Sequence, residues 1–298
     1  MEASFAERKR YSLIIGNAQR FIKEAPLPKR PTYYHRPESL AEALKLLAQP
    51  NTVPLAGGTK LLAAGTSAEV VDLQSLGLNQ IRWDGDRMRV GATTTLADLA
   101  EALEAKKDAD GPAQLVGEAV RKAGPNTYRN AATLGGTIAG RLADSEMLAA
   151  LLVLDADLVL HGQQVMSISL GDYLNATERP QGLISEIACD WHPGVGHSAR
   201  VARTPADYPI VSVTCWMKKA APLRLAATGL SNYAIRLGKA EQRLENDNSA
   251  AAVDDAAVLA KQASTHTGDF RGDADYRADM AAVLTRRAVK AVLGLSAG

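Results

Sequence analysis

The chain has 298 residues, 46% of them apolar and 22% charged, with a formal net charge of +1. That length accommodates two domains with sizeable cores, and the near-neutral balance supplies no global field for nucleic acid or an anionic membrane. Aromatic residues make up only 5%, and no basic stretch is interleaved with them, which excludes a base-stacking platform.

In chain order, residues 1–30 read as an extension ending in "APLPKRP", an extended tether whose apolar "YSLII" is too short for a signal-peptide core. From Pro37, "PESLAEALKLLAQ" puts Leu40, Ala43, Leu44 and Leu47 on one face of a short helix. "TVPLAGG" reads as strand then turn, and "AEVVDL" as a second strand. "QIRWDGDRMRVGA" predicts a hairpin turning at Asp84-Gly85, and "TTTLADLAEALEA" a helix capped by Thr95. A helix over Ala113–Lys122 leads through "AGPNTYRN" to a glycine pair; "DSEMLAALLVLDA" follows as a helix capped by Asp144 or Ser145. "DADLVLHGQQVMSISL" predicts a hairpin, while "GLISEIAC", "YPIVSVTCWM" and "LRLAATGL" read as strands. His192 and His197 flank "PGVG" in an expected surface loop. The last part is helical, Ala251–Ser264 and then Asp273–Leu293, with Tyr276, Met280, Val283, Leu284 and Ala288 at helical spacing. The pattern gives two αβ units to about residue 200 and then a β-then-α domain, too irregular for a doubly wound parallel sheet.

The two cysteines, Cys189 and Cys215, lie in apolar strand-like runs and read as buried thiols. They are too few for an iron–sulfur cluster or a structural zinc, which need about four ligands. The five histidines show no metal-ligand spacing, no serine sits in a nucleophile elbow, and no catalytic residue or metal site is expected. No apolar run is long enough to span a membrane, so a cytoplasmic location is the default expectation.

Two runs carry chemistry. In "TVPLAGGTKLLAAG" a glycine pair, Gly57-Gly58, follows a strand; in "NAATLGGTIAGRLADSE" a second pair, Gly135-Gly136, begins 78 residues after the first. Such turns let bare backbone N–H groups face an anion, and neither is G-x-G-x-x-G or a Walker sequence. The second run adds Thr133, Thr137 and the cluster Asp144-Ser145-Glu146, a set suited to the hydroxyls and phosphates of a dinucleotide. Any redox chemistry would then belong to a cofactor.

These two motifs, their order and their separation resemble the FAD-binding medium subunit of the molybdenum hydroxylases, the xanthine dehydrogenase and carbon monoxide dehydrogenase family. Supporting runs are "YYHRPESLAEALKLL", "PLAGGTKLL", "RNAATLGGTIAGRLADSEMLAALLVLDADLVL" and "GDFRGDADYRADMAAVLTRRAV". The resemblance implies an α+β fold: a vanillyl-alcohol-oxidase-like (PCMH-type) FAD-binding domain of two α/β subdomains over residues 31–198, and a smaller αβ domain over residues 199–298. It implies that Ala56, Gly57, Gly58, Thr59 and Lys60, flanked by Leu55 and Leu61, wrap the FAD diphosphate. Thr133, Gly135, Gly136 and Thr137 would form a second wall. Ser145 and Glu146 would reach ribityl or ribose hydroxyls, and Leu183 or Ile184 would lie against a ring of the cofactor.

Lys60 stands where relatives often carry a small polar or acidic residue; a cation there either tightens phosphate binding or points to solvent. Glu146 replaces the more usual Asp. Relatives with an additional iron–sulfur insertion need several cysteines, which this chain lacks. The implied function is electron transfer: a molybdenum-cofactor large subunit oxidises the substrate, and a small subunit with [2Fe-2S] clusters relays electrons to FAD here. From FAD they leave to NAD⁺ or another acceptor, and an apolar surface patch should meet the partners. The rival readings are a self-contained FAD-dependent oxidoreductase and a relative without FAD that acts as an assembly factor.

Overall fold

The computed structural model describes residues 29–106, 111–219 and 221–295, so most of the expected 1–30 extension lies outside the described residues. The first subdomain contains β1 (Tyr34–His35), α1 (Leu40–Leu47), β2 (Thr52–Leu55), α2 (Leu61–Ala64) and β3 (Glu69–Asp72). Its three strands run parallel in the order β1-β3-β2. Helix α1 begins later than Pro37 suggested, because the Ser39 hydroxyl caps it by accepting the Glu42 N–H at 3.2 Å. Its apolar face packs with Val71, Leu73 and Leu183 in a small core.

The second subdomain holds the strands β4 (Ile81–Asp84), β5 (Arg87–Gly91), β6 (Asp157–His161), β7 (Val165–Ser169) and β8 (Leu183–Asp190). They form an antiparallel sheet in the order β4-β5-β8-β6-β7. Six helices accompany it: α3 (Leu96–Ala105), α4 (Pro112–Lys122), α5 (Asn126–Arg129), α6 (Leu134–Ala139), α7 (Glu146–Val153) and α8 (Leu170–Asn175). The predicted caps hold: Thr95 accepts the Asp98 N–H, and Ser145 rather than Asp144 caps α7 by accepting the Leu148 N–H. The hairpin turns one residue later than expected. Asp84 pairs with Arg87, so Gly85-Asp86 forms the turn and Gly85 carries the positive φ of 57°.

Every residue of α7 is buried, because the helix lies between the second subdomain and the C-terminal sheet. That sheet consists of β9 (Gly194–Val201), β10 (Val211–Lys218), β11 (Arg224–Thr228) and β12 (Ile235–Arg236), antiparallel in the order β12-β11-β10-β9. After it come α9 (Gly238–Leu244), α10 (Ala250–Gln262), the short hairpin β13 (Gly268–Asp269) and β14 (Gly272–Asp273), and α11 (Ala274–Leu293).

The expected loop around His192 and His197 is a strand over most of its length. All eight residues of β9 pair with β10, so His197 is an exposed strand residue opposite Cys215, and a division at residue 198 falls inside β9. The glycines that hid this strand are required by packing: a Cβ on Gly194 or Gly196 would come within 2.6 or 2.8 Å of the Trp216 ring.

On α11 the buried stripe is also shifted. Tyr276 is exposed, and the inward positions begin at Arg277, which is fully buried. Its guanidinium donates to the carbonyls of Ile210, Gly229 and Gly272 and to the Asp269 carboxylate. Arg271 bonds Asp144 and Asp269, tying the C-terminal domain to the second subdomain.

Candidate cofactor site

The two glycine motifs meet. The first leaves the end of β2, where the Leu55 carbonyl accepts the Leu73 N–H at 2.9 Å. Gly58 then takes a φ of 69°, a left-handed conformation costly for other residues, and α2 begins as Leu62 N–H donates to the Gly58 carbonyl. Among the described residues no protein acceptor stands opposite the N–H groups from Ala56 through Leu61. A backbone that leaves donors free at a cleft is suited to an anion.

The second motif is built differently. Thr133 caps α6, its hydroxyl accepting the Gly136 N–H at 3.1 Å. Leu134 N–H donates to Thr94, Gly135 N–H to Ala92 and Thr137 N–H to the Thr133 carbonyl. The N–H groups from Leu134 through Thr137 are therefore already paired within the protein, and this stretch contributes shape more than hydrogen bonds. A Cβ on Gly135 would lie 2.6 Å from the Ala92 methyl, and one on Gly57 would lie 1.7 Å from the Ala131 carbonyl oxygen. Those two glycines allow the protein to pack upon itself rather than upon a ligand. Gly136 differs: it is exposed, and a Cβ there would meet only the Thr133 hydroxyl, at 2.9 Å.

Between the motifs lies a cleft of about 380 Å³, within the usual range for small-molecule sites. Leu55, Ala56, Gly57, Gly58, Thr59, Lys60, Leu61, Thr133, Gly135, Gly136, Thr137, Leu183 and Ile184 all line it. Ser145 and Glu146 do not. They line a separate, smaller cavity beyond Tyr128 and Thr137, and both have other partners. The Ser145 hydroxyl caps α7, while the buried Glu146 carboxylate lies 3.2 Å from Arg200 and 3.7 Å from Lys122.

Tyr128, Tyr173, Thr93, Leu142 and Arg179, not expected at the site from the sequence, also line the cleft. Tyr128 carried a signal, since it sits directly before the run that leads into the second glycine pair. Its ring centroid lies 6.0 Å from the ammonium of Lys60, which is exposed at the cleft. Burial pushes the Tyr128 phenol above its ordinary pKa, against the opposing effect of the Thr59 hydroxyl beside it. Burial likewise raises Tyr173, whose ring receives the Arg141 guanidinium at 5.1 Å. Arg141, at a φ of 45°, also holds the carbonyls of Tyr173 and Ala176, fixing the end of α8 beside the cleft.

The histidines and cysteines stand elsewhere. His161 bonds Ser185 at 2.9 Å, and His192 bonds Asp190 and lies 3.3 Å from Asp86. Both cysteines are buried, and burial pushes the Cys189 thiol up to about 12. Among the described residues no group of three or more His, Cys, Asp or Glu side chains could hold a metal, and no helix is long and apolar enough to cross a membrane.

Fold and site together define a flavoprotein: an FAD-binding domain of two subdomains joined to a C-terminal αβ domain. The family described as the FAD binding domain in molybdopterin dehydrogenase matches residues 28–189, and the CO dehydrogenase flavoprotein C-terminal domain matches residues 199–292. This chain belongs to the family of FAD-binding medium subunits of the molybdenum hydroxylases, and its cofactor is FAD.

The carbon monoxide dehydrogenase medium chain of Afipia carboxidovorans is 30% identical, covering 86% of this chain and 95% of the relative. An uncharacterized protein of Escherichia coli K12, YgfM, is also 30% identical, covering 84% of this chain and 92% of its own length. Among solved structures, a Cu,Mo-CO dehydrogenase in its cyanide-inactivated form superposes with a TM-score of 0.81 at 26% identity. That superposition covers 90% of this chain and 99% of the other. Quinoline 2-oxidoreductase from Pseudomonas putida 86, at 22% identity and a TM-score of 0.76, shares the fold. The donor set present here fits FAD, since free backbone N–H groups and Lys60 suit its diphosphate and the apolar walls suit its rings.

Proposed function

We propose that this chain is the electron-transfer subunit of a molybdenum hydroxylase complex. It stands between the [2Fe-2S] clusters of a small partner chain and an acceptor such as NAD⁺, while the substrate is oxidised at the molybdenum cofactor of a large partner chain. The observation that carries the reading is the composition of the cleft. Among the described residues it is lined by backbone donors, apolar side chains, threonines, tyrosines and two cations, with no His, Cys, Asp or Glu. An oxidoreductase acting on its own organic substrate most often positions a His or a carboxylate as acid or base beside the cofactor. The lining favours a protein that holds and tunes a cofactor over one that also transforms a substrate.

FAD, when bound, supplies the exchange of electrons one or two at a time. The chain's own residues bind and orient it. The N–H groups of Ala56 through Leu61 face the anion, Gly58 makes their turn attainable, and the α6 surface at Gly136 leaves room for close approach. Leu55, Leu61, Leu142, Leu183 and Ile184 exclude water. In this reading Ser145 and Glu146 support the site from behind, by capping α7 and by joining it to β9 through Arg200. The functional division between cofactor domain and C-terminal domain then falls between Asp190 and Gly194, where the chain passes from one sheet to the other.

The test is purification of the tagged chain with its native partners, followed by metal analysis and NADH titration. Stoichiometric molybdenum and iron, with flavin absorption bleached by NADH, are expected. A chain that purifies alone and oxidises an organic substrate unaided would overturn the reading in favour of a self-contained oxidoreductase.

A further inference from the structure

The cleft carries an unbalanced charge. Among the described residues its lining holds two cations, Lys60 and Arg179, and no acidic side chain. Neither has a carboxylate partner there: the Lys60 ammonium lies over Tyr128, and Arg179 bonds through its backbone carbonyl alone, to the Gln181 amide at 3.4 Å. Three other cations among the described residues have partners. Arg129 bonds the carbonyls of Arg121 and Gly124, Arg141 those of Tyr173 and Ala176, and Lys122 lies near Glu118 and Glu146.

Arg179 comes from the segment between α8 and β8, away in sequence from both glycine motifs. Pro180 restricts its backbone to extended conformations, and Gly182, at a φ of 140°, turns the chain into β8. The segment thus places Arg179, whose guanidinium is a planar five-donor group, in the lining of the same cleft as the free N–H donors. Guanidinium pairs with phosphate oxygens two at a time, a geometry an ammonium cannot reproduce.

We propose that Arg179 is a further anion-binding residue of the cleft, engaging the FAD diphosphate with Lys60 and so selecting the dinucleotide over uncharged riboflavin. The proposal rests on the assignment of this cleft to FAD and adds to it a residue outside both glycine motifs.

The experiment titrates FAD and riboflavin into the flavin-stripped full chain, following flavin fluorescence at two salt concentrations, for wild type, Arg179→Gln and Arg179→Lys. Losing a charge-assisted pair should weaken FAD about tenfold in Arg179→Gln and less in Arg179→Lys, with riboflavin unchanged. Salt should weaken wild-type FAD binding more than that of Arg179→Gln. If wild type binds FAD and Arg179→Gln matches it in affinity and salt response, the proposal fails and the cleft assignment stands. Equal weakening of FAD and riboflavin would also overturn it, because Arg179 would then act on the ring system. Wild type that binds neither flavin would instead overturn the cleft assignment.

Discussion

Replacing Gly57 with Ala tests whether the two glycine motifs are pressed together by their own backbones. An ideal Cβ there falls 1.7 Å from the Ala131 carbonyl oxygen and 2.6 Å from its carbon, and both are backbone atoms that no rotamer change can move. Gly57 is not among the positive-φ glycines, so the perturbation is purely steric. Relief requires the first loop and the segment before α6 to part by about 1.5–2 Å to reach van der Waals distance. Overpacking of this kind costs about 2–3 kcal/mol. For a chain of this size that corresponds to a melting temperature lower by about 3–5 °C.

The same displacement separates the free N–H groups of Ala56 through Leu61 from the α6 wall, so flavin retention should be lost as well. The assay is differential scanning fluorimetry of flavin-free protein, with flavin absorbance after gel filtration. Gly136→Ala is the companion variant, since its Cβ meets only the Thr133 hydroxyl and displaces one cap bond, at about 1 kcal/mol. A Gly57→Ala protein that melts with wild type would refute the claim that the loops are in contact. So would a Gly136→Ala protein destabilised as much as Gly57→Ala.

Glu146→Gln breaks a buried ion pair with Arg200 and should destabilise the chain by about 3 kcal/mol in urea melts while leaving FAD affinity within about twofold. A selective loss of FAD affinity would instead return Glu146 to the cofactor. Burial opposes ionisation of Asp269, yet the Arg271 N–H and the Arg277 and Arg271 guanidiniums hold it well below the usual carboxylate range; at Asp190, burial is likewise outweighed by His192 and Lys218. A depressed folded-state pKa means that the unfolded chain takes up protons first. Stability should therefore be level above about pH 5 and fall as pH drops below about 4, and Asp269→Asn should flatten that fall in thermal melts. Cys189 and Cys215, with thiols raised by burial, should resist a thiol reagent at pH 8 in native protein and both react in guanidinium; a fast-reacting native thiol would contradict the packing.

Local signals in the sequence were enough for much of this fold. Thr95 and Ser145 cap the helices they precede because a hydroxyl before an apolar helical run satisfies an orphan N–H wherever the helix later packs. The strands flanking Cys189 and Cys215 were legible because continuous β-prone runs suit buried strands. Strand β9 was not, because "GVGHSARV" has poor β propensity and becomes a strand only by pairing with β10 over Trp216. Arg277 was invisible for a similar reason, since its burial depends on two distant carbonyls, of Ile210 and Gly229, converging with the Asp269 carboxylate.

In the site, the paired glycines marked both motifs, but a glycine pair does not say what its missing Cβ would strike. At Gly57 and Gly135 it would strike the protein itself, which the separation of the motifs along the chain concealed. Arg179 and Tyr173 carry no motif and reach the cleft through tertiary structure alone.

The most direct test of the central claim is the visible absorption spectrum of the purified chain, before and after incubation with FAD and gel filtration. Retained flavin bands, released on denaturation as FAD and diminished in Gly57→Ala, are the expected result. A folded, colourless protein that leaves the column without flavin after incubation would contradict the assignment of this cleft to FAD.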